Sequence, residues 1–205
     1  MTWLYFALLA PLFWSLSNIV DKFAINNITS NCISFIFLLS IGNIFFAAAI
    51  YAYFQPADLD LYMVAINICS GLAIFLQYFA YSYSLEDMDV SVVIPIHQSE
   101  PIFVLAASVL IFHAIPTSWQ VTGFALIVVG ILILCMSRRT IRGLGHPRHV
   151  VVLLISAFFG AVSTVISDEI LQVKSLDSVL IFNFAGYALG GMFLLLVPTW
   201  RKLII

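Results

Sequence analysis

Charge is what this chain has least of. Only 9% of its 205 residues are Asp, Glu, Lys or Arg, against roughly a quarter in soluble domains. With 63% hydrophobic residues and a mean hydropathy of +1.11, it cannot hide its apolar surface in a water-soluble fold, and its partner solvent is the lipid bilayer. A net charge of −2 and a pI near 6.0 give no basic excess, so no nucleic-acid partner is expected. Cysteine is scarce too: Cys32, Cys69 and Cys135 each sit inside an apolar run, where they read as small buried hydrophobes, and neither a disulfide framework nor a metal set. Also missing are a nucleophile elbow, HExxH, Walker A and paired CxxC, which leaves hydrolysis, metalloprotease and ATPase chemistry without support. No enzyme, cofactor, catalytic residue or metal ligand is expected.

Long apolar runs are present instead. A spanning helix needs about 20 apolar residues, since roughly 30 Å of hydrocarbon is crossed at 1.5 Å per residue. Seven stretches qualify, near 3–25, 31–54, 61–84, 90–112, 117–137, 149–170 and 177–198, and they predict an all-α polytopic membrane bundle. Met1-Thr2-Trp3-Leu4 lacks the positive start of a signal peptide, so the first run reads as a membrane helix. Breaks fall at Asn26-Asn27-Ile28-Thr29-Ser30-Asn31, Gln55-Pro56-Ala57-Asp58, Glu86-Asp87-Met88-Asp89 and Ala114-Ile115-Pro116-Thr117, all capping or helix-stopping chemistry. The longest polar stretch, 137–149, carries Arg138, Arg139, Arg142 and Arg148. It divides five helices (1–137) from two (149–205), with 138–148 as the linking loop. An internal echo, Leu8-Leu9-Ala10-Pro11-Leu12-Phe13-Trp14-Ser15 against Leu153-Leu154-Ile155-Ser156-Ala157-Phe158-Phe159-Gly160, fits a repeat that restarts after this loop. The arginines place the loop in the cytoplasm, with Arg201-Lys202 on the same side, Asp168-Glu169 outside and the N-terminus outside.

Polar side chains inside the spans mark candidate function. Glu100 lies mid-span, where a charged side chain costs about 2.5–3.5 kcal/mol on insertion scales. His97 is one helical turn away, and Pro95 and Pro101 flank the pair, so the helix should kink and free carbonyls toward a cavity. Glu100 either lines a site or ties helices together. Trp14, Ser17, Asn18 and Asp21 share one face of the first helix, turned to protein or water. Lys22 either lines that path or snorkels from the helix end. In the third span Gln77, Tyr78 and Tyr81 are pocket candidates and Tyr83 an interface anchor. Lone Asn43 and Asn67 read as interhelical hydrogen-bond formers. Gly123 with Gly130, and the GxxxG element Gly186-Tyr187-Ala188-Leu189-Gly190, predict close helix contacts.

Ordered features over 78–134 resemble the EamA-type repeat of the drug/metabolite transporter superfamily. They are Tyr78-Phe79-Ala80-Tyr81, the Glu-Pro step Glu100-Pro101-Ile102-Phe103, and Trp119-Gln120-Val121-Thr122-Gly123 followed by Val129-Gly130. Trp14-Ser15 and Lys22 extend the likeness over most of 3–136. The resemblance implies a bacterial inner-membrane secondary transporter of small-molecule substrates: amino acids, related metabolites or drugs. The polar faces described above give its path as Trp14, Asn18, Lys22, Gln77, Tyr78, Tyr81, His97 and Glu100, and two titratable groups one turn apart in the membrane suggest proton coupling through Glu100 and His97. The family's acidic residue at the end of the fourth helix is replaced around His113-Ala114. Two five-helix repeats are usual in the family, so three helices of the second are expected to be missing, and a second copy or another chain would supply them. The competing expectation is a non-transporting accessory protein that packs against another chain. Family topology also implies cytoplasmic termini, opposite to the arginine count.

Overall fold

A computed structural model describes residues 2–55, 60–113, 115–135 and 147–204. Among these residues the chain is helical, with no strand, and the all-α polytopic bundle is the fold observed. Helix α1, Thr2–Ala24, widens into a π-helical turn, Ile25–Thr29, and stops at Ser30, whose φ of 61° is left-handed. Asn31 then caps α2, Cys32–Phe54, its side chain accepting the Ser34 amide at 2.8 Å. Asp60 caps α3, Leu61–Asp87, in the same way through Tyr62. There follow α4 (Val90–His97), α5 (Glu100–Phe112), α6 (Ser118–Cys135), α7 (Pro147–Leu171), α8 (Leu176–Leu194) and the short α9 (Pro198–Ile204).

Five of the described segments are long and apolar enough to cross a membrane: α2, α3, the α4–α5 stretch Val90–Ile111, α7 and α8; α6 adds a shorter apolar run, Ser118–Ile133. Of the seven predicted spans, the first, now α1, and the fifth, now α6, are not among these five, and two others differ in detail. The run expected to reach residue 198 stops at Leu194, because Pro198 lacks an amide and is better used to open α9. The fourth span, expected to kink, is broken outright. Pro56, Ala57, Asp58, Ala114, Arg138, Arg139 and Arg142, and with them the loop that divides 1–137 from 149–205, lie outside the described residues.

Helix α3 is the axis of the bundle, with α7 antiparallel and α8 parallel to it, while α2 packs on the far side of α8. Glycine makes the α3–α8 crossing tight: a methyl group at Gly186 would overlap the Ile68 carbonyl and Gly71, and one at Gly190 would overlap the Phe75 ring. Polar side chains stitch the same seam. Asn67 donates to the Val179 carbonyl (3.0 Å) and accepts from Asn183 (2.9 Å), and Ser70 meets the hydroxyls of Ser163 (2.8 Å) and Ser167 (3.0 Å). Such interhelical bonds average about 0.6 kcal/mol and reach about 2 kcal/mol in membranes, so together they select one register. The GxxxG contact and the role of Asn67 follow the sequence expectation. Gly123 and Gly130 do not, since a methyl group at either would meet nothing within 4 Å. Helix α6 packs against α4 and leaves its glycine face uncovered by the described residues.

One end of the bundle is polar in a definite way. Lys22 Nζ donates to the Leu85 and Glu86 carbonyls, filling the C-terminal end of α3, and the Glu86 carboxylate accepts the Cys32 amide (3.1 Å). Arg148 and His149 at the start of α7 reach Asp87 at 3.7 and 3.5 Å, and α9 closes this end through Ser34 Oγ donating to the Leu203 carbonyl (2.7 Å).

Candidate functional site

Helices α1, α2, α3, α5, α7 and α8 surround a cavity of about 630 Å³, within the roughly 300–1,000 Å³ typical of small-molecule sites. Helical spacing decides which residues reach it. From α1 come Trp14, Ser17 and Asp21; from α2, Leu39 and Asn43; from α3, Ile74, Gln77 and Tyr78. Glu100 is the first residue of α5. Helix α7 contributes Gly160, Ser163, Thr164, Ser167, Asp168 and Leu171, a stripe at intervals of three and four, and α8 contributes Asn183, Phe184 and Tyr187.

The broken fourth span positions Glu100. Residue 101 would normally donate its amide to the His97 carbonyl; it is proline, so the ladder stops there. The chain closes instead with tight turns, Gln98 N to Ile94 O at 2.9 Å and Ser99 N to Ile96 O at 3.1 Å, and starts again at Glu100. The Glu100 carboxyl then accepts Gln77 Nε2 (2.8 Å) and Thr164 Oγ1 (3.0 Å), from helices on either side. Gly160 makes room: a methyl group there would overlap both Gln77 Nε2 and Glu100 Oε2.

The expected direct pairing of His97 with Glu100 gives way to an indirect one. Gln77 stands between them, its amide nitrogen also 3.5 Å from His97 Nε2, while His97 Nδ1 faces Ser156 Oγ at 3.2 Å. The reason is the helix break, which removes the shared face that three-residue spacing on one continuous helix would provide. Ser156 also donates to the Gln77 carbonyl (2.7 Å), fixing both partners from α7.

Of the residues singled out from sequence, Trp14, Gln77, Tyr78 and Glu100 line the cavity. Asn18, Tyr81 and His97 line a narrow crevice beside it, where Tyr81 Oη donates to Asn18 Oδ1 at 3.1 Å and its ring packs 5.1 Å from His97. Lys22 is spent on the end of α3, away from the cavity. Ser17 and Asp21, placed from sequence on the same α1 face, line it too, and Asn43, expected to bond between helices, lines it while donating within α2 to the Leu39 carbonyl (2.8 Å). Sequence reasoning left out Ser163, Thr164, Ser167, Asp168, Asn183 and Tyr187 as lining residues. The polar period on α7 was the available signal for Ser163, Thr164, Ser167 and Asp168; for Tyr187 sequence alone gave none.

The EamA-like transporter family model matches residues 1–136. No curated protein and no solved structure gives a match.

Proposed function

Because the chain belongs to the EamA-like transporter family, an integral, multi-pass class of small-molecule transporters that are generally not enzymes, we propose that it is a secondary transporter whose substrate occupies the cavity beside Glu100. One observation carries the reading: a carboxyl group sits at a helix break within the membrane-spanning stretch, held by side chains from two other helices and facing about 630 Å³ of space. Irregular backbone at membrane depth is tolerated where it lines a cavity, and that is how transporters build their binding sites. In this reading 1–137 is one five-helix repeat and 149–205 the opening two helices of a second. The membrane is the bacterial inner membrane, and amino acids, related metabolites or drugs are the cargo. Glu100 and His97 are the groups that carry the coupling proton in this reading; Gln77 Nε2, which only donates, holds the two in place from between them.

The test is the released-metabolite profile of cells expressing this chain, set beside Glu100→Gln at equal membrane abundance and an empty vector. A compound class exported by the parent and lost in the variant is the expected result. Three identical profiles from correctly inserted protein would overturn the reading and leave a protein that only packs against another chain. For coupling, flux in Glu100→Gln that kept the parent's pH dependence would remove the proton route.

A further inference from the structure

The cavity is acidic and aromatic at once. Asp21, Glu100 and Asp168 line it, and among the described lining residues there is no Lys, Arg or His; Lys22 is turned to the α3 carbonyls and His97 to the neighbouring crevice. Asp21 is buried and, among the described residues, forms no hydrogen bond or ion pair, so its carboxyl is unanswered within the protein. A second observation points to a ligand. Tyr187 is only 4% exposed and lines the same cavity, yet its hydroxyl has no hydrogen-bond partner among the described residues. Buried polar groups are nearly always partnered, and one left open beside a cavity asks for a partner that arrives with a guest.

We propose that the cavity takes organic cations: an ammonium head set beside Asp21 and Glu100 and over the Tyr78 and Tyr187 rings, with an apolar body against Trp14 and Phe184. This rests on the transporter reading of the same cavity and adds its substrate class. An anion here would face three carboxyl groups with no counter-charge. A desolvated ammonium gains both from carboxylates and from the negative faces of aromatic rings. Tyr78 and Tyr187 stand edge to face with centroids 5.9 Å apart, so their planes differ by 71° and present a corner to such a head group.

The experiment uses the full chain in detergent and in phosphatidylcholine vesicles, with three solutes sharing a phenylpropyl body: 3-phenylpropylammonium, 3-phenylpropanol and 3-phenylpropanesulfonate. Calorimetry reads binding and radiolabel reads entry into vesicles. The ammonium compound is expected to bind at least about tenfold more tightly than the other two, the ratio that one desolvated cation contact of about 1.4 kcal/mol supplies. Asp21→Asn should remove about tenfold of that preference and Tyr187→Phe a few-fold, with circular dichroism unchanged, while Glu169→Gln, outside the cavity, leaves it intact. Equal or tighter binding of the alcohol or sulfonate overturns the proposal, as does a preference that survives Asp21→Asn. Failure of all three to bind folded protein overturns it also. The transporter reading falls separately, on the metabolite profile: export of a neutral or anionic class there would retain transport and remove the cation.

Discussion

At the scale of single residues, the site depends on space as much as on polar groups. Gly160 touches no substrate in this reading, but a methyl group there overlaps the two atoms that make the Gln77–Glu100 bond. Gly160→Ala is expected to lower transport as far as Glu100→Gln does while costing about 1–3 kcal/mol of stability, measured as export at matched abundance and as detergent melting temperature. Asn67→Ala should act on stability alone. It removes the bonds to Asn183 and to the Ser178 and Val179 carbonyls while Asn183 keeps Ser70 and Ser167, a loss of about 1–2 kcal/mol, and cavity binding measured below the melting temperature stays as in the parent. Residue identities legible in the sequence were those whose cost inside a membrane is obvious, Glu100 above all. Asn18 was legible as polar but not as the acceptor for Tyr81, because a hydrogen bond across 63 residues is fixed by how α1 lies on α3 and by nothing local.

Among elements, the α4–α5 break has the clearest cause and the clearest test. Pro101 denies the His97 carbonyl its partner, so Pro101→Ala restores that bond and lets the two helices run on as one. The expected outcome separates two readouts: a melting temperature equal to or above the parent's, because helix continuity is gained, and export reduced toward the Glu100→Gln level, because Glu100 swings off Gln77 and Thr164. Prolines at 95 and 101 made a disturbance legible in the sequence. Whether it would be a kink or an interruption was not, since that depends on what α7 offers the freed groups. Gly123 and Gly130 show the opposite failure, for spacing marks a surface able to pack closely but does not say that anything packs there.

The whole molecule has a charge asymmetry that sequence position alone obscured. Lys22, Arg148, Arg201 and Lys202 gather with Glu86, Asp87 and Asp89 at the end where α3 finishes, whereas at the other end, beside Asp60, Asp168, Glu169 and Asp177, Lys174 is the one Lys or Arg among the described residues. The charge rule predicts a cytoplasmic location for the cationic end, against the topology that the family resemblance implies. In a background without the native cysteines, Ile28→Cys should resist a membrane-impermeant maleimide until cells are opened, and Gln172→Cys should react at once; the reverse pattern would place the charge rule second to family topology. The all-helical membrane fold and the acidic mid-span residue could be read from hydropathy alone, but the cavity could not, because half of its lining comes from α7 and α8 meeting residues between 64 and 116 positions earlier. That separation makes time a structural variable. Asn67, Ser70 and Gln77 are synthesised long before Asn183, Ser163 and Ser156 exist to meet them, so α3 must wait with a polar face undressed. A ribosome stalled with α6 complete and α7 still inside it should leave α3 within crosslinking reach of the insertion machinery, and release should follow only once α8 has emerged.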